Sequence, residues 1–287
     1  MLVVDTNMFN YNFIPYYGGK NSKLELLMPN IRYIADMTES TTFVDLYGGG
    51  GSCTVNAGIC GHKFDTIVYN ELDPAVVSLM AVLADEEATK ILCDALLRVD
   101  IDKCLFEATR LRANYLNNSA ISMQLAYDWA ITHLCSFNLT DKGYSQTRAD
   151  MFYNIVNRLR KMQKFMNGVY VLNKDAMDIL DVCGDDTKIL KLLDVPYHPC
   201  TRNPRAINVY RKEYTREDHK KLVQKLCDCT NWILCGYDPF AYGCEDYLPL
   251  EEAGAKKVKL AEVTLGSSTL SSTGETSKKV EYIWFKY

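Results

Sequence analysis

Two rhythms of apolar and polar positions divide this chain: short apolar runs that stop at acids or glycines, and one long stretch with helical spacing. The run Thr42-Phe43-Val44-Asp45-Leu46-Tyr47 predicts a short buried strand that feeds directly into Gly48-Gly49-Gly50-Gly51-Ser52. Thr54 to Cys60 can then open a helix, and Thr66-Ile67-Val68-Tyr69 predicts the next strand. Strand, tight turn, helix and strand in that order form a unit typical of parallel sheets. Asn70-Glu71-Leu72-Asp73 closes the second strand with two acids, and Pro74 suits the first turn of a following helix.

Residues 85–168 carry the helical rhythm, with Leu96, Leu97, Leu105, Leu111, Tyr115, Leu125, Trp129 and Leu134 spaced for packing. Within them Ser136 to Thr147 is polar and rich in turn formers, which predicts an exposed loop. Strand character returns at Val169-Tyr170-Val171-Leu172, ending in Asn173-Lys174-Asp175, and again at Ile189 to Leu193, which leads into Asp194. A helix from Glu217 to Cys227 precedes the strand Trp232-Ile233-Leu234-Cys235 and the turn Gly236-Tyr237-Asp238-Pro239. Val258 to Leu265 and Val280 to Phe285 read as a hairpin around a Ser/Thr/Gly-rich loop at Gly266 to Lys279, expected to be mobile. The pattern is that of an α/β fold, with a sheet domain at 1–84 and 169–287 and an inserted helical lobe at 85–168.

A chain of 287 residues can bury a substantial core as one large domain or as a core domain with a smaller lobe. No basic segment followed by an apolar leader run is seen, nor an apolar stretch long enough to span a bilayer. The 11 cysteines are odd in number and without framework spacing, so a reducing cytoplasm is the expected location. Their tightest group, Cys227, Cys229, Cys235 and Cys244, lacks a metal-binding knuckle and a histidine at finger spacing, so buried thiols are expected and no metal site. The net charge of −4 argues against polyanion binding by the whole surface. Thr201 to Lys225 nevertheless holds eight basic residues against three acids, and Arg158, Arg160, Lys161 and Lys164 form a second cluster. Either is a solvated face or a local contact for phosphates.

The strand ends carry the chemistry. Gly48 to Gly51 lets backbone N–H groups approach a ligand with no side chain intervening. Cys53 stands where a dinucleotide fingerprint has its third glycine, and no Gly-Lys-Ser/Thr follows to hold a triphosphate. A ligand with an adenosine and a less charged tail remains. Glu71 is placed to accept ribose hydroxyls, and Asp175 to line the adenine end. At Asp194-Val195-Pro196-Tyr197, one carboxylate oxygen and the Val195 carbonyl can orient both hydrogens of an exocyclic amine, a poor nucleophile, and favour charge developing on its nitrogen. Tyr197 would stack on the base and Pro196 would stiffen the turn. A base taken from duplex DNA must first leave the stack, at a cost of a few kcal/mol. Pro199-Cys200 suggests thiolate attack on cytosine instead, but no Glu-Asn-Val partner element is found. Taken singly, Glu71, Asp194 and Tyr197 also read as a surface acid, a turn acid and a packed aromatic.

Taken together, these segments resemble the Dam-like DNA adenine-N6 methyltransferases that use S-adenosylmethionine. Pro15-Tyr16-Tyr17-Gly18-Gly19-Lys20 resembles the family's N-terminal element that helps cover the cofactor. Phe43 to Ser52 is similar to its glycine loop, Asn70-Glu71-Leu72-Asp73 to its ribose-binding element and Asn173-Lys174-Asp175 to its short acid motif near adenine. Asp194-Val195-Pro196-Tyr197 falls on the catalytic Asp-Pro-Pro-Tyr, and Leu234 to Asp238 resembles a later Ser-Gly-Tyr segment. The elements run in family order from about residue 15 to the C-terminus.

The resemblance implies a doubly wound, mostly parallel, seven-stranded Rossmann-like sheet with a late antiparallel strand, and a target-recognition role for the helical lobe. It implies S-adenosylmethionine held by Tyr16, Gly19, Lys20, Asp45, Tyr47, Gly48, Gly50, Ser52, Glu71 and Asp175, and double-stranded DNA as the partner. Asp194, Val195, Pro196 and Tyr197 would be catalytic. Asp45 stands for the family glutamate, Leu46 for a proline, and Val195 for the first proline of the catalytic motif. The lobe lacks the family's best-known recognition stretch, so no target sequence carries over. Two other readings compete with DNA methylation: a catalytically weak binding homologue, and an amino-methyltransferase acting on RNA or another amide-bearing substrate.

Overall fold

The computed structural model describes residues 11–16, 18–116, 120–202, 213–264 and 278–287. Each predicted strand forms. They are β1 (Thr42–Asp45), β2 (Thr66–Asn70), β3 (Tyr170–Leu172), β4 (Ile189–Leu193), β5 (Trp232–Tyr237), β6 (Lys256–Thr264) and β7 (Lys278–Lys286). They join in one seven-stranded sheet of order β3-β2-β1-β4-β5-β7-β6. The first five are mutually parallel. β7 enters antiparallel between β5 and β6. The hairpin strands extend beyond the apolar runs, because backbone pairing continues through charged ends, and lysines 256, 257 and 259 sit on an edge strand where charge discourages further pairing. The connecting segment predicted to be mobile lies, apart from residues 278 and 279, outside the described residues.

Period-2 alternation sorts each central strand between two layers. Phe43, Leu190, Leu192, Ile233 and Cys235 face a cluster with helix α1 (Leu24–Thr38) and the short helix α2 (Ser52–Ala57). Val44, Leu193, Trp232 and Leu234 face the opposite cluster, covered by α8 (Ala176–Cys183), α9 (Arg216–Asp228) and α10 (Leu248–Glu252). Lys191 is buried on that second face, where its ammonium donates to the carbonyls of Gly184, Asp186 and Thr230 at 3.2, 2.8 and 3.0 Å. The buried charge is therefore fully hydrogen-bonded.

The stretch 85–168 is helical as expected: α4 (Glu86–Leu97), α5 (Lys103–Leu116), α6 (Met123–Leu134) and α7 (Gln146–Met166). Their cluster continues without a break into α3 (Pro74–Leu83) and Tyr69 of β2. Helix starts follow local capping. Asp73 accepts from the Ala75 N–H at 2.9 Å with Pro74 at the first turn, and Thr215 and Asp218 cap α9 reciprocally. Each such cap contributes roughly 1 kcal/mol. Among the described residues no helix is long and apolar enough to cross a membrane.

Candidate functional site

At the carboxyl ends of the parallel strands a cavity of about 160 Å³ opens. It brings together the N-terminal Tyr16–Lys20 element, the glycine loop, Glu71 and the Asp194–Tyr197 turn, which are scattered over most of the chain. The parallel strand order places these ends side by side.

The glycine loop follows β1 and is closed from beneath by β2. Gly48 N–H donates to the Asn70 carbonyl at 2.8 Å, and the Tyr69 hydroxyl donates to the Gly49 carbonyl at 2.8 Å. A Cβ on Gly48 would lie 2.2 Å from the buried Tyr69 ring, so only glycine lets the loop approach β2. Gly49 adopts φ +47°, and a side chain there would meet the Tyr16 ring at 2.9 Å. Glu71 braces the same loop. It accepts from Gly49 N–H at 3.1 Å on one oxygen, and from Leu72 and Asp73 N–H at 2.8 and 3.3 Å on the other. Burial pushes its carboxyl up, and these three donors oppose that. Each carboxylate oxygen has more than one acceptor position, so capacity for a ligand hydroxyl remains.

Asp45, at the end of β1, is buried and accepts from the Thr54 hydroxyl at 2.7 Å. Burial pushes its carboxyl up to about 7, with the Thr54 bond working against the rise. Ser52 starts α2 and lines the cavity, as do Tyr16, Gly19, Lys20, Tyr47, Gly48 and Gly50. The Tyr47 hydroxyl meets that of Tyr214 at 2.5 Å, with the rings edge to face. Asp175 takes a different place. It caps α8 by accepting from Met177 N–H at 2.9 Å and does not line the cavity.

The far end is a buried charge cluster. The Lys20 ammonium, 1% exposed, lies on the Asp194 carboxylate and donates to the Tyr197 hydroxyl at 2.8 Å. It also stands 3.3 Å from Glu281, which Lys23 approaches at 2.6 Å. The Tyr197 hydroxyl in turn donates to Glu281. Burial alone would favour a neutral Lys20 amine, but Asp194, Tyr197 and Glu281 outweigh it and hold the ammonium well above the usual lysine range. Burial likewise opposes ionisation of Glu281, yet Lys20 and Lys23 prevail and its carboxyl is lowered. The Tyr197 ring packs edge-on against Tyr237 at 4.7 Å. Val195 is 2% exposed and packs in the apolar cluster beneath the turn. Its side chain thus anchors a turn that lines the cavity.

Several cavity residues escaped the sequence reading. Helix α6 contributes Trp129 and His133, whose rings stack at 4.3 Å, and His133 stacks in turn on Tyr16 at 5.4 Å. His133 Nδ1 lies 2.8 Å from Asp141 and Nε2 lies 3.2 Å from the Pro15 carbonyl. The segment expected as an exposed loop therefore folds partly inward, and Leu139, Thr140 and Asp141 line the cavity. The available signal was an aromatic and a histidine four apart on one helical face, which spacing alone assigns to core packing. Glu281 had a clearer signal: it shares its strand face with Ile283 and Phe285, an acid on an otherwise apolar stripe.

Of the two basic clusters, residues 203–212 lie outside the described chain. Arg202 pairs with Glu213, Arg216 with Asp246 at 2.6 Å, and Arg160 with Asp94. No family model matches the sequence, and a search of the curated proteins finds no match to it.

Proposed function

We propose that this chain methylates the N6 amine of a flipped adenine in double-stranded DNA, using S-adenosylmethionine. The observation that carries the reading is the convergence, in one cavity, of the Gly48–Gly50 loop with Glu71 at one end and Asp194–Tyr197 at the other. The sheet order β3-β2-β1-β4-β5-β7-β6 with antiparallel β7 agrees with the late antiparallel strand the methyltransferase resemblance implies. Eleven free cysteines are compatible with a reducing cytoplasm.

The cavity suits the cofactor's chemistry. Glycines at 48, 49 and 50 leave no room for a Cβ against Tyr69 and Tyr16, so the loop turns backbone rather than side chains to the cavity; Glu71 retains acceptor capacity, and the stacked Tyr16, His133 and Trp129 rings form one side of the lining. When bound, S-adenosylmethionine supplies an electrophilic methyl group on a sulfonium centre. Asp194 and the Val195 carbonyl accept the two hydrogens of the adenine amine, which localises its lone pair for attack. Lys20 must first yield its place on Asp194, and Glu281 remains to hold its charge. Tyr197 offers its ring to the base, fixed by its own hydroxyl bonds to Lys20 and Glu281. The buried wall around Asp194 limits competing water.

The occupied Asp194 carboxylate favours one alternative, a binding homologue that does not turn over. Incubation with methyl-labelled cofactor and mixed-sequence duplex DNA separates the two. Label recovered as N6-methyladenine supports the enzyme, and cofactor affinity without transfer supports the alternative. Transfer to RNA in preference to DNA would overturn the substrate assignment.

A further inference from the structure

His198, Cys200 and Cys244 converge beside the Asp194–Tyr197 turn. His198 and Cys244 are buried while Cys200 reaches the surface, and their donor atoms all lie within 4.8 Å of one another. His198 Nδ1 is 3.0 Å from Cys200 Sγ, and Nε2 is 3.9 Å from Cys244 Sγ. In a tetrahedral zinc site with bonds of about 2.3 Å to sulfur and 2.0 Å to nitrogen, donor edges run about 3.5–3.8 Å. Cys200 Sγ already lies close to Nδ1, whereas Cys244 Sγ lies on the Nε2 side, so Cys244 has to swing toward Nδ1 for the three donors to share one ion.

The surroundings prepare the ring for that role. His198 Nε2 faces Asp246 Oδ2 at 3.1 Å, and Arg216 clamps the same carboxylate from Nε at 2.6 Å and Nη2 at 3.0 Å. A carboxylate accepting the Nε2 proton leaves the Nδ1 lone pair directed toward Cys200, whose N–H donates to it at 3.3 Å. Metal-binding histidines are commonly oriented in this way. The ring is wedged between His219 and Tyr247, with centroids at 4.8 and 5.9 Å.

We propose that His198, Cys200 and Cys244 bind a thiophilic divalent cation of the zinc class, tying the turn after β4 to the turn after β5. Both thiols lose their protons to solvent as two metal–sulfur bonds form, and the imidazole binds through Nδ1, giving up the bond it now accepts from the Cys200 N–H. Three protein donors leave a fourth position open on the exposed Cys200 side, for water. The joined segments lie next to Tyr197 and, at the end of β5, Tyr237, whose rings meet edge to face, so the ion stiffens the wall offered to the base. The metal site does not depend on the methyltransferase reading, since the donors lie outside the cavity lining.

The test uses the full chain, stripped with a chelator and kept reduced with a phosphine, titrated with Co²⁺ and then Zn²⁺. One equivalent of Co²⁺ should bind with a thiolate-to-cobalt charge-transfer band and be displaced by Zn²⁺. Cys200→Ser and Cys244→Ser should each abolish the band, while Cys104→Ser, at an exposed thiol elsewhere, should retain it. His198→Gln should weaken binding at least tenfold. Absence of binding by the native chain, or a band that persists in both Cys200→Ser and Cys244→Ser, would overturn the site. Cys200 is at the surface, so its serine variant keeps the fold and the result is decided by the metal alone.

Discussion

Lys20 and Asp194, 174 residues apart, form a buried ion pair in the lining of the cavity. The chain's own amine thus sits on the carboxylate that the proposed mechanism assigns to a substrate amine. Glu281 and Lys23 complete the charge balance, so the pair is one edge of a buried network.

Breaking that network from the lysine side is expected to be costly. Lys20→Met leaves Asp194 and Glu281 short of a cation, and removing one partner of a buried pair costs about 3–5 kcal/mol. Urea unfolding measures the loss, and adding Asp194→Asn to Lys20→Met should recover part of it. A loss below about 1 kcal/mol would mean the pair behaves as an exposed one.

Asp194→Asn keeps the shape of the turn and removes the charge that favours a developing positive nitrogen. Transfer should fall by about 100-fold or more while cofactor affinity stays near the native value. Single-turnover rates with calorimetric binding give both numbers. Transfer at the native rate would remove Asp194 from the mechanism.

Glu71 both braces the glycine loop and offers acceptors to a ligand. Glu71→Gln turns an amide N–H toward backbone donors that now find a carboxylate, so cofactor affinity should drop about tenfold to a hundredfold. Isothermal titration with S-adenosylmethionine reports it. An unchanged affinity would show that neither the brace nor a ligand contact of Glu71 supports cofactor binding.

Val195 fixes its turn by packing, since its side chain is buried in the cluster under β4 and β5. Val195→Pro should therefore leave the transfer rate near native, and Val195→Ala should cost about 1–2 kcal/mol through the lost methyl groups. A marked rise in rate in Val195→Pro would show that the native turn is held too loosely for catalysis.

His219 carries a pH dependence. Burial, then the neighbouring His198, pushes its imidazole from 6.5 down to about 3, while its Nδ1 meets the Tyr247 hydroxyl at 2.9 Å. Below 6.5 the unfolded chain takes up a proton that the folded chain refuses, so stability falls with pH across that window until the folded group titrates near 3. Urea midpoints across this range should decline less steeply in His219→Gln. An identical slope would place the acid sensitivity elsewhere, for instance at His198, which burial also lowers.

Strand positions were legible because a buried strand writes its own apolar run, and Asp45, Glu71 and Asp194 were conspicuous as polar residues at the ends of such runs. The hairpin of β6 and β7 was readable for the same reason. Asp175 shows the limit of strand ends as a guide: an acid three residues past a strand caps the next helix as readily as it lines a pocket, and here it does the former. His133, Asp141 and the His198, Cys200 and Cys244 cluster stayed hidden because each residue looks ordinary among its sequence neighbours.

The sequence by itself determined the α/β class, the strand positions and the order in which loops and acids follow them, since local burial and turn chemistry are encoded within a few residues. Only the tertiary structure decided which side chains face one another. Lys20 reaches Asp194 because the N-terminal segment docks over the strand ends, and Glu281 joins them because β7 inserts antiparallel beside β5. Those contacts depend on strand order and chain crossing, which hydrophobic periodicity does not record.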